Sequence, residues 1–249
     1  MDRVIHESDI LLEVIDARMP NITRNEKVEN KIRLQRKFLI LVINKSDLIT
    51  RNMRMDFLRN FKSREAVFIS CKGRKGIYAL KEMIFELAKR SHRNYVKVGV
   101  IGYPNTGKSS VINILVGRSA AKTSPIAGLT RGVQWIRGEG NIMFFDTPGV
   151  VPLDDKDETE QALMSVIDPN KLVDPDLAAM KIIQLFLDYK KNSLEKFYNV
   201  KIETDDTFEI LLEIGKRKNF LRKGGKVDEV RTALAIIRDW QRGKLLLKF

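Results

Sequence analysis

Short, almost unbroken apolar runs at 8–15, 37–43, 66–70, 95–101 and 142–145 punctuate the chain. Runs of that length without alternation are what strands buried on both faces of a parallel sheet look like. Between them lie stretches with helical spacing, predicted at about 25–36, 51–62, 77–90 and 111–116. The clearest sets Ile77, Leu80, Ile84, Leu87 and Ala88 on one face. Pro20 is expected to break the chain after the first strand. A further strand is predicted at 133–137, with a turn at 138–141.

Beyond residue 152 the strand pattern stops and the spacing is helical throughout. Asp174-Pro175 reads as an N-cap and first-turn proline ahead of Leu177, Met180, Ile183, Phe186 and Leu187. Phe208, Leu211, Leu212 and Gly215 mark another helix and its end. Asp228 starts a third, with Val230, Ala233, Leu234, Ile237 and Trp240 on one side. Two domains are expected, 1–152 and 153–249, the second all-α.

The strand ends carry the chemistry. After 95–101 comes GYPNTGKSS, Gly102 to Ser110, which fits the phosphate-loop pattern in its strand–loop–helix setting. Glycines at 102 and 107 let backbone N–H groups turn inward around phosphates, and the helix that follows adds its positive dipole end. Asn105, Thr106, Gly107, Lys108, Ser109 and Ser110 are the expected nucleotide contacts. Lys108 would reach the β- and γ-phosphates, and Ser109 would hold Mg²⁺. The fold expected is therefore α/β, a P-loop NTPase of Ras-like type with a mostly parallel sheet.

After 37–43 comes Asn44-Lys45-Ser46-Asp47. Asp47 can accept two hydrogen bonds from the guanine N–H and exocyclic amine, Asn44 can bond the other edge, and the Lys45 stem can lie on the base. A site built to bond such groups rejects bases that lack them. Alone the tetrapeptide is weak, since Asn and Asp are ordinary turn residues; beside a phosphate loop it points to guanine. Ser70-Cys71-Lys72, at the end of the third run, is the expected second base contact, through the Cys71 N–H. Asp146-Thr147-Pro148-Gly149 closes the 142–145 run. Asp146 would hold Mg²⁺ through water, the Gly149 N–H would sense the γ-phosphate, and Thr130 would close on Mg²⁺ when GTP is bound. The expected metal set is thus Ser109, Thr130 and Asp146, and the expected catalytic set Lys108, Thr130 and Gly149.

Charge adds a partner. The net charge is +13, more than a small-molecule enzyme needs and useful against phosphate backbones. Residues 1–150 are net +13 and residues 151–249 net zero, but 214–249 alone are net +8. That last segment clusters Lys216, Arg217, Lys218, Arg222, Lys223 and Lys226 around Gly224-Gly225, which suits contact with RNA backbone; a solvated basic face is the alternative. No run of 18 apolar residues predicts a membrane span. The single cysteine, Cys71, and the absence of a secretory pattern lead to the expectation of a cytoplasmic address.

The order of these elements is unusual, because the guanine motif precedes the phosphate loop. Such an order resembles the circularly permuted GTPases of large-ribosomal-subunit assembly, the YlqF/RbgA group and its archaeal and nucleolar relatives. Asp16-Ala17-Arg18-Met19-Pro20 with Thr23-Arg24-Asn25, Asn44 to Leu48, Gly102 to Ser110, Asp146 to Gly149 and the 220–244 segment carry the resemblance. Two positions depart from the pattern: Ala127 stands where proline is usual, and Cys71 where alanine is. The resemblance implies binding of GTP and GDP, GTP hydrolysis, and action on the large subunit or its precursor through rRNA, with no DNA partner. A GTP-regulated RNA-binding module with incidental hydrolysis is the alternative. Val150 occupies the position where a glutamine orients water in Ras-like proteins, which implies slow intrinsic turnover awaiting a ribosomal particle. Asn105 resembles the asparagine of potassium-stimulated GTPases, implying K⁺; a loop-stabilising asparagine is the other reading.

Overall fold

The apolar runs assemble into a seven-stranded sheet in the computed structural model, which describes residues 1–60, 66–91, 93–117, 135–145, 149–153 and 156–247. The strands are β1 (Ile10–Asp16), β2 (Phe38–Asn44), β3 (Ala66–Phe68), β4 (Val96–Gly102), β5 (Trp135–Arg137), β6 (Ile142–Phe145) and β7 (Gly149–Val150). Their order is β3-β2-β1-β4-β6-β5, with β7 also on β4. All pairings are parallel except β5 with β6. Every residue of β1 is buried, as its lack of alternation predicts.

Chain order and spatial order diverge in the middle of this sheet. From β1 the chain moves outward through β2 to β3, then returns to lay β4 along the other edge of β1, pairing Ile10 with Val98. It then moves outward in the opposite direction. β1 and β4 therefore form a switch point, and open α/β sheets bind ligands in the crevice at the carboxyl ends of such strands. The three motif-bearing ends Asp16, Asn44 and Gly102 lie on neighbouring strands, with Asp16 in register with Asn44.

The chain divides into two compact units, one of Met1–Asp47 with Phe57–Pro152, the other of Leu48–Asp56 with Leu153–Phe249. Helices Pro175–Tyr189, Thr207–Arg217 and Glu229–Gln241 form the centre of the second. Trp240 anchors it: the indole is fully buried, sits edge-on to Phe186 at 6.4 Å, and donates to the Leu163 carbonyl at 3.0 Å. Asp228 caps its helix by accepting from the Arg231 N–H. Asp174 stands at the N-cap of its helix, with Pro175 at the first position, and makes no side-chain cap hydrogen bond.

Several expectations need correction. The chain does break after β1, and Pro20 then begins a short helix, Pro20–Thr23, that the pattern did not predict, because proline's fixed φ suits a first helical turn. The helix after the phosphate loop starts at Lys108, three residues earlier than its apolar pattern suggests, with left-handed Gly107 as its cap. Gly215 lies inside its helix, not at its end. A Cβ there would stand 2.4 Å from Val227 and 2.6 Å from Thr232, so glycine serves close packing. Helices Asp2–Glu7, Glu158–Leu163 and Lys191–Tyr198, of six to eight residues, were not singled out by the pattern.

Candidate functional site

Asn44 holds the site together. Its side-chain N–H donates to the Thr106 carbonyl of the phosphate loop at 3.0 Å, and its oxygen accepts from the Cys71 N–H at 3.2 Å. One amide thus ties the end of β2 to two other loops. The structure brings Asn44 and Cys71, the two expected base contacts, together and hydrogen-bonds them to each other. A buried amide carries two donors and a carbonyl, and here one donor and the carbonyl are spent on tying β2 to the two loops (Asn44 is 3% exposed). The same closeness explains Gly107. Its φ is +102°, and a Cβ would lie 2.2 Å from the Asn44 amide nitrogen.

The phosphate loop is folded on itself. Lys108 donates to the Tyr103 carbonyl at 2.6 Å, and the Thr106 hydroxyl donates to the same carbonyl at 2.9 Å. Burial pushes the Lys108 ammonium down to about 8. Ser109, Ser110 and Asn105 are exposed, Asn105 in the left-handed region at φ 60°. The exposed Ser109 oxygen in the first turn of the helix is a hard donor that suits Mg²⁺.

On the base side, Ser70 donates to Asp47 at 2.5 Å and itself accepts from the Gly73 N–H at 2.8 Å. Ser70 therefore braces the acid expected to read guanine. Lys72 is exposed. Burial, and then the Asp47 charge, push the Cys71 thiol up to about 11, which keeps it protonated and unreactive at neutral pH. Gly149 lies in β7, paired with Ile101 at the end of β4, and the next residues stay on that edge, Val151 N–H donating to the Gly102 carbonyl. Thr130 and Asp146 lie outside the described residues. Among the described residues no cluster of His, Cys, Asp or Glu forms a metal site, and no helix is long and apolar enough to cross a membrane.

Sequence reasoning assigned no role to a second set of residues, which back this site. Asp16 accepts from the Arg18 Nε and guanidinium nitrogen at 3.1 and 2.8 Å and from Lys45 Nζ at 2.6 Å. Burial opposes its ionisation, but Arg18 and then Lys45 outweigh burial and hold the carboxyl far below its ordinary range. Asn25 caps the Glu26–Leu34 helix, donates through its amide to the Tyr103 hydroxyl at 2.8 Å, and through its backbone to Glu13 at 2.8 Å. Burial and the neighbouring Glu29 push Glu13 up to about 8. A signal was present: Glu13 is the one charged residue within the apolar run Ile10–Ile15, and such a residue in a buried strand needs partners.

Comparison with known proteins agrees with this geometry. Residues 97–213 match the family model described as 50S ribosome-binding GTPase. A GTP-binding protein of Methanocaldococcus jannaschii is 40% identical over 248 residues, covering 98% of this chain and 65% of that protein. Nuclear/nucleolar GTPase 2 of Arabidopsis thaliana is 34% identical, covering 98% of this chain and 42% of its own. Nuclear GTP-binding protein NUG1 of Saccharomyces cerevisiae is 31% identical, at 98% and 54%. The chain thus spans less than two thirds of the length of these curated relatives. GNP-bound YlqF from T. maritima superposes with a TM-score of 0.63 at 21% identity, over 99% of this chain and 93% of that one. The GDP-bound YlqF structure gives 0.66 at 21%, over 98% and 95%. The chain has their fold.

The cytoplasmic expectation is overturned by the relatives named nuclear or nucleolar. A lone cysteine separates reducing from oxidising surroundings. Nucleus and cytoplasm are both reducing, so composition had no means of choosing between them.

Proposed function

Taking the chain as a circularly permuted P-loop GTPase by fold, we propose that it binds GTP and GDP with Mg²⁺, hydrolyses GTP, and acts as a switch in large-ribosomal-subunit assembly through rRNA contact. The observation that carries this reading is the Asn44 cross-link, which gathers the guanine motif, the phosphate loop and the Cys71 loop at one switch point.

In this reading Lys108 leaves the Tyr103 carbonyl for the β- and γ-phosphates, and Asp47, braced by Ser70, reads guanine. Ser109, Thr130 and Asp146 would hold Mg²⁺, which neutralises phosphate charge as the bond to the γ-phosphoryl group breaks. Gly149, on the edge of β4, reports the γ-phosphate to the segment beyond residue 152. With Val150 at the usual glutamine position, no side chain there orients water, so turnover waits for groups ordered by a ribosomal particle. K⁺ at Asn105 would supply charge at the same point.

Residues 1–152 would be the GTP-binding part and 153–249 the rRNA-binding part. Support for the latter comes from a basic turn: Arg222 N–H donates to the Lys226 carbonyl at 2.8 Å, and the turn passes through left-handed Gly224 and Gly225. Lys216, Lys218, Lys223 and Lys226 are exposed around it. The test is GTP turnover with and without large-subunit particles. Strong stimulation by particles is expected; fast hydrolysis by the isolated chain overturns the switch reading.

A further inference from the structure

Asp16 backs the site without a role in the proposed chemistry, and it ends the central strand β1 beside Asn44. Its carboxylate is 2% exposed and holds two cations at once. Arg18 binds it with two nitrogens and with its backbone N–H at 3.0 Å, while Lys45 Nζ reaches it at 2.6 Å from the next strand. The backbone N–H of Asp16 in turn donates to the Thr23 hydroxyl at 3.0 Å, so the acid cannot move away. Lys45 itself sits in the left-handed region at φ 62°, a conformation that a side chain rarely adopts without other contacts holding it.

Burying a carboxylate is costly unless it is paired and hydrogen-bonded. Arg18 alone already neutralises Asp16 with a bidentate fork, so Lys45 is not needed for charge balance. What the third contact does is geometric. It fixes the ammonium at one end of a four-carbon stem and the strained backbone at the other, between Asn44 and Asp47. We propose that Asp16 is a positioning residue for nucleotide binding: by anchoring the Lys45 ammonium, while Arg18 holds the acid in place, it keeps the Lys45 stem flat as a platform for the face of the base. A stem held at both ends pays its ordering cost before the ligand arrives, and preorganisation of that kind raises affinity. The inference rests on the reading that this chain binds guanine nucleotides.

The discriminating substitution is Lys45→Met, which keeps an apolar stem of similar length and removes the ammonium that Asp16 holds. Lys45 is partly exposed, and the urea midpoint of each variant is measured beside its affinity so that loss of fold and loss of binding are told apart. The probe is a fluorescent GDP analogue titrated into the full chain, with GDP and IDP as competitors. A side chain freed from its anchor must be ordered on binding, which predicts affinity weakened about three- to tenfold for Lys45→Met and for Asp16→Asn. The Asp16→Asn change added to Lys45→Met should cost nothing more. GDP and IDP should weaken by the same factor, because a platform touches the face of the base and not its amine. Full affinity in Lys45→Met overturns the proposal, as does an equal extra loss from Asp16→Asn in the Lys45→Met background. A wild-type chain that binds neither nucleotide overturns the guanine reading itself, which separates the two failures.

Discussion

The Lys108 ammonium rests 2.6 Å from the Tyr103 carbonyl, five residues back in the same loop. A carbonyl neutralises none of the charge, and burial pushes the group from 10.5 down to about 8. The folded chain therefore binds fewer protons than the unfolded chain between those values. Stability without nucleotide rises as pH climbs from about 8 towards 10.5, and below 8 the full burial penalty is present. Lys108→Met, lacking that penalty, should be the more stable protein at pH 7. Its advantage in urea midpoint should shrink through the same window, while its GDP affinity falls by at least about tenfold. Parallel urea titrations from pH 7 to 10 check the first part, and nucleotide titration the second.

Asn44→Ala removes a donor to the Thr106 carbonyl and an acceptor from the Cys71 N–H. Two backbone groups lose their partners, at a cost of about 2–4 kcal/mol in unfolding free energy. Chemical denaturation reads this cost. Nucleotide affinity should fall with it, since both loops lose their tie to β2.

Glu13 gives a pH dependence of the opposite sense. Its carboxyl is pushed from 4.5 up to about 8, first by burial and then by Glu29. The folded chain holds the extra proton between these values, so this group's contribution is full below about 4.5 and is lost as pH rises to about 8. Glu13→Gln keeps an oxygen for the Asn25 N–H and cannot ionise. The variant should be more stable than wild type at pH 8, with the gap closing towards pH 5. Thermal melts at the two pH values measure it.

The same substitution should have different effects at two glycines. At Gly215 an added methyl meets Val227 at 2.4 Å, and Gly215→Ala should cost about 1–3 kcal/mol through overpacking. At Gly224 nothing lies within 4 Å, but φ is +91°, so Gly224→Ala should cost only about 1 kcal/mol of backbone strain. Denaturation midpoints rank the pair; equal losses would remove the packing argument for Gly215.

Much of this was legible from the chain. Buried parallel strands announce themselves as apolar runs, and motifs at strand ends follow the topology that such strands impose. Hence β1, β2, β4 and the phosphate loop fall where the pattern puts them. What the pattern hides is the use of side chains on other side chains. Asn44 has the same sequence appearance whether it faces a base or ties two loops, and only the third dimension brings Thr106 and Cys71 to it. The contacts of Asp16, Asn25 and Glu13 were hidden because the partners Lys45, Tyr103 and Glu29 lie at separations with no sequence period. The short helix Lys191–Tyr198 was missed for a different reason: its buried face is only Ser193, Leu194 and Tyr198, too short to repeat.

The seam between β1 and β4 has a consequence for how the protein is made. β1, β2 and β3 are successive in the chain and pair with near neighbours, whereas Ile10 waits for Val98. Loop closure over so long a segment is a slow step, and during synthesis the half carrying Asn44 and Asp47 emerges before the phosphate loop exists. The crevice is completed only when β4 docks, so a ligand bound there would stabilise the finished sheet and could not guide its first half. Trimming the seam with Val98→Ala should therefore slow refolding more than an equally destabilising change in the β2–β3 pair.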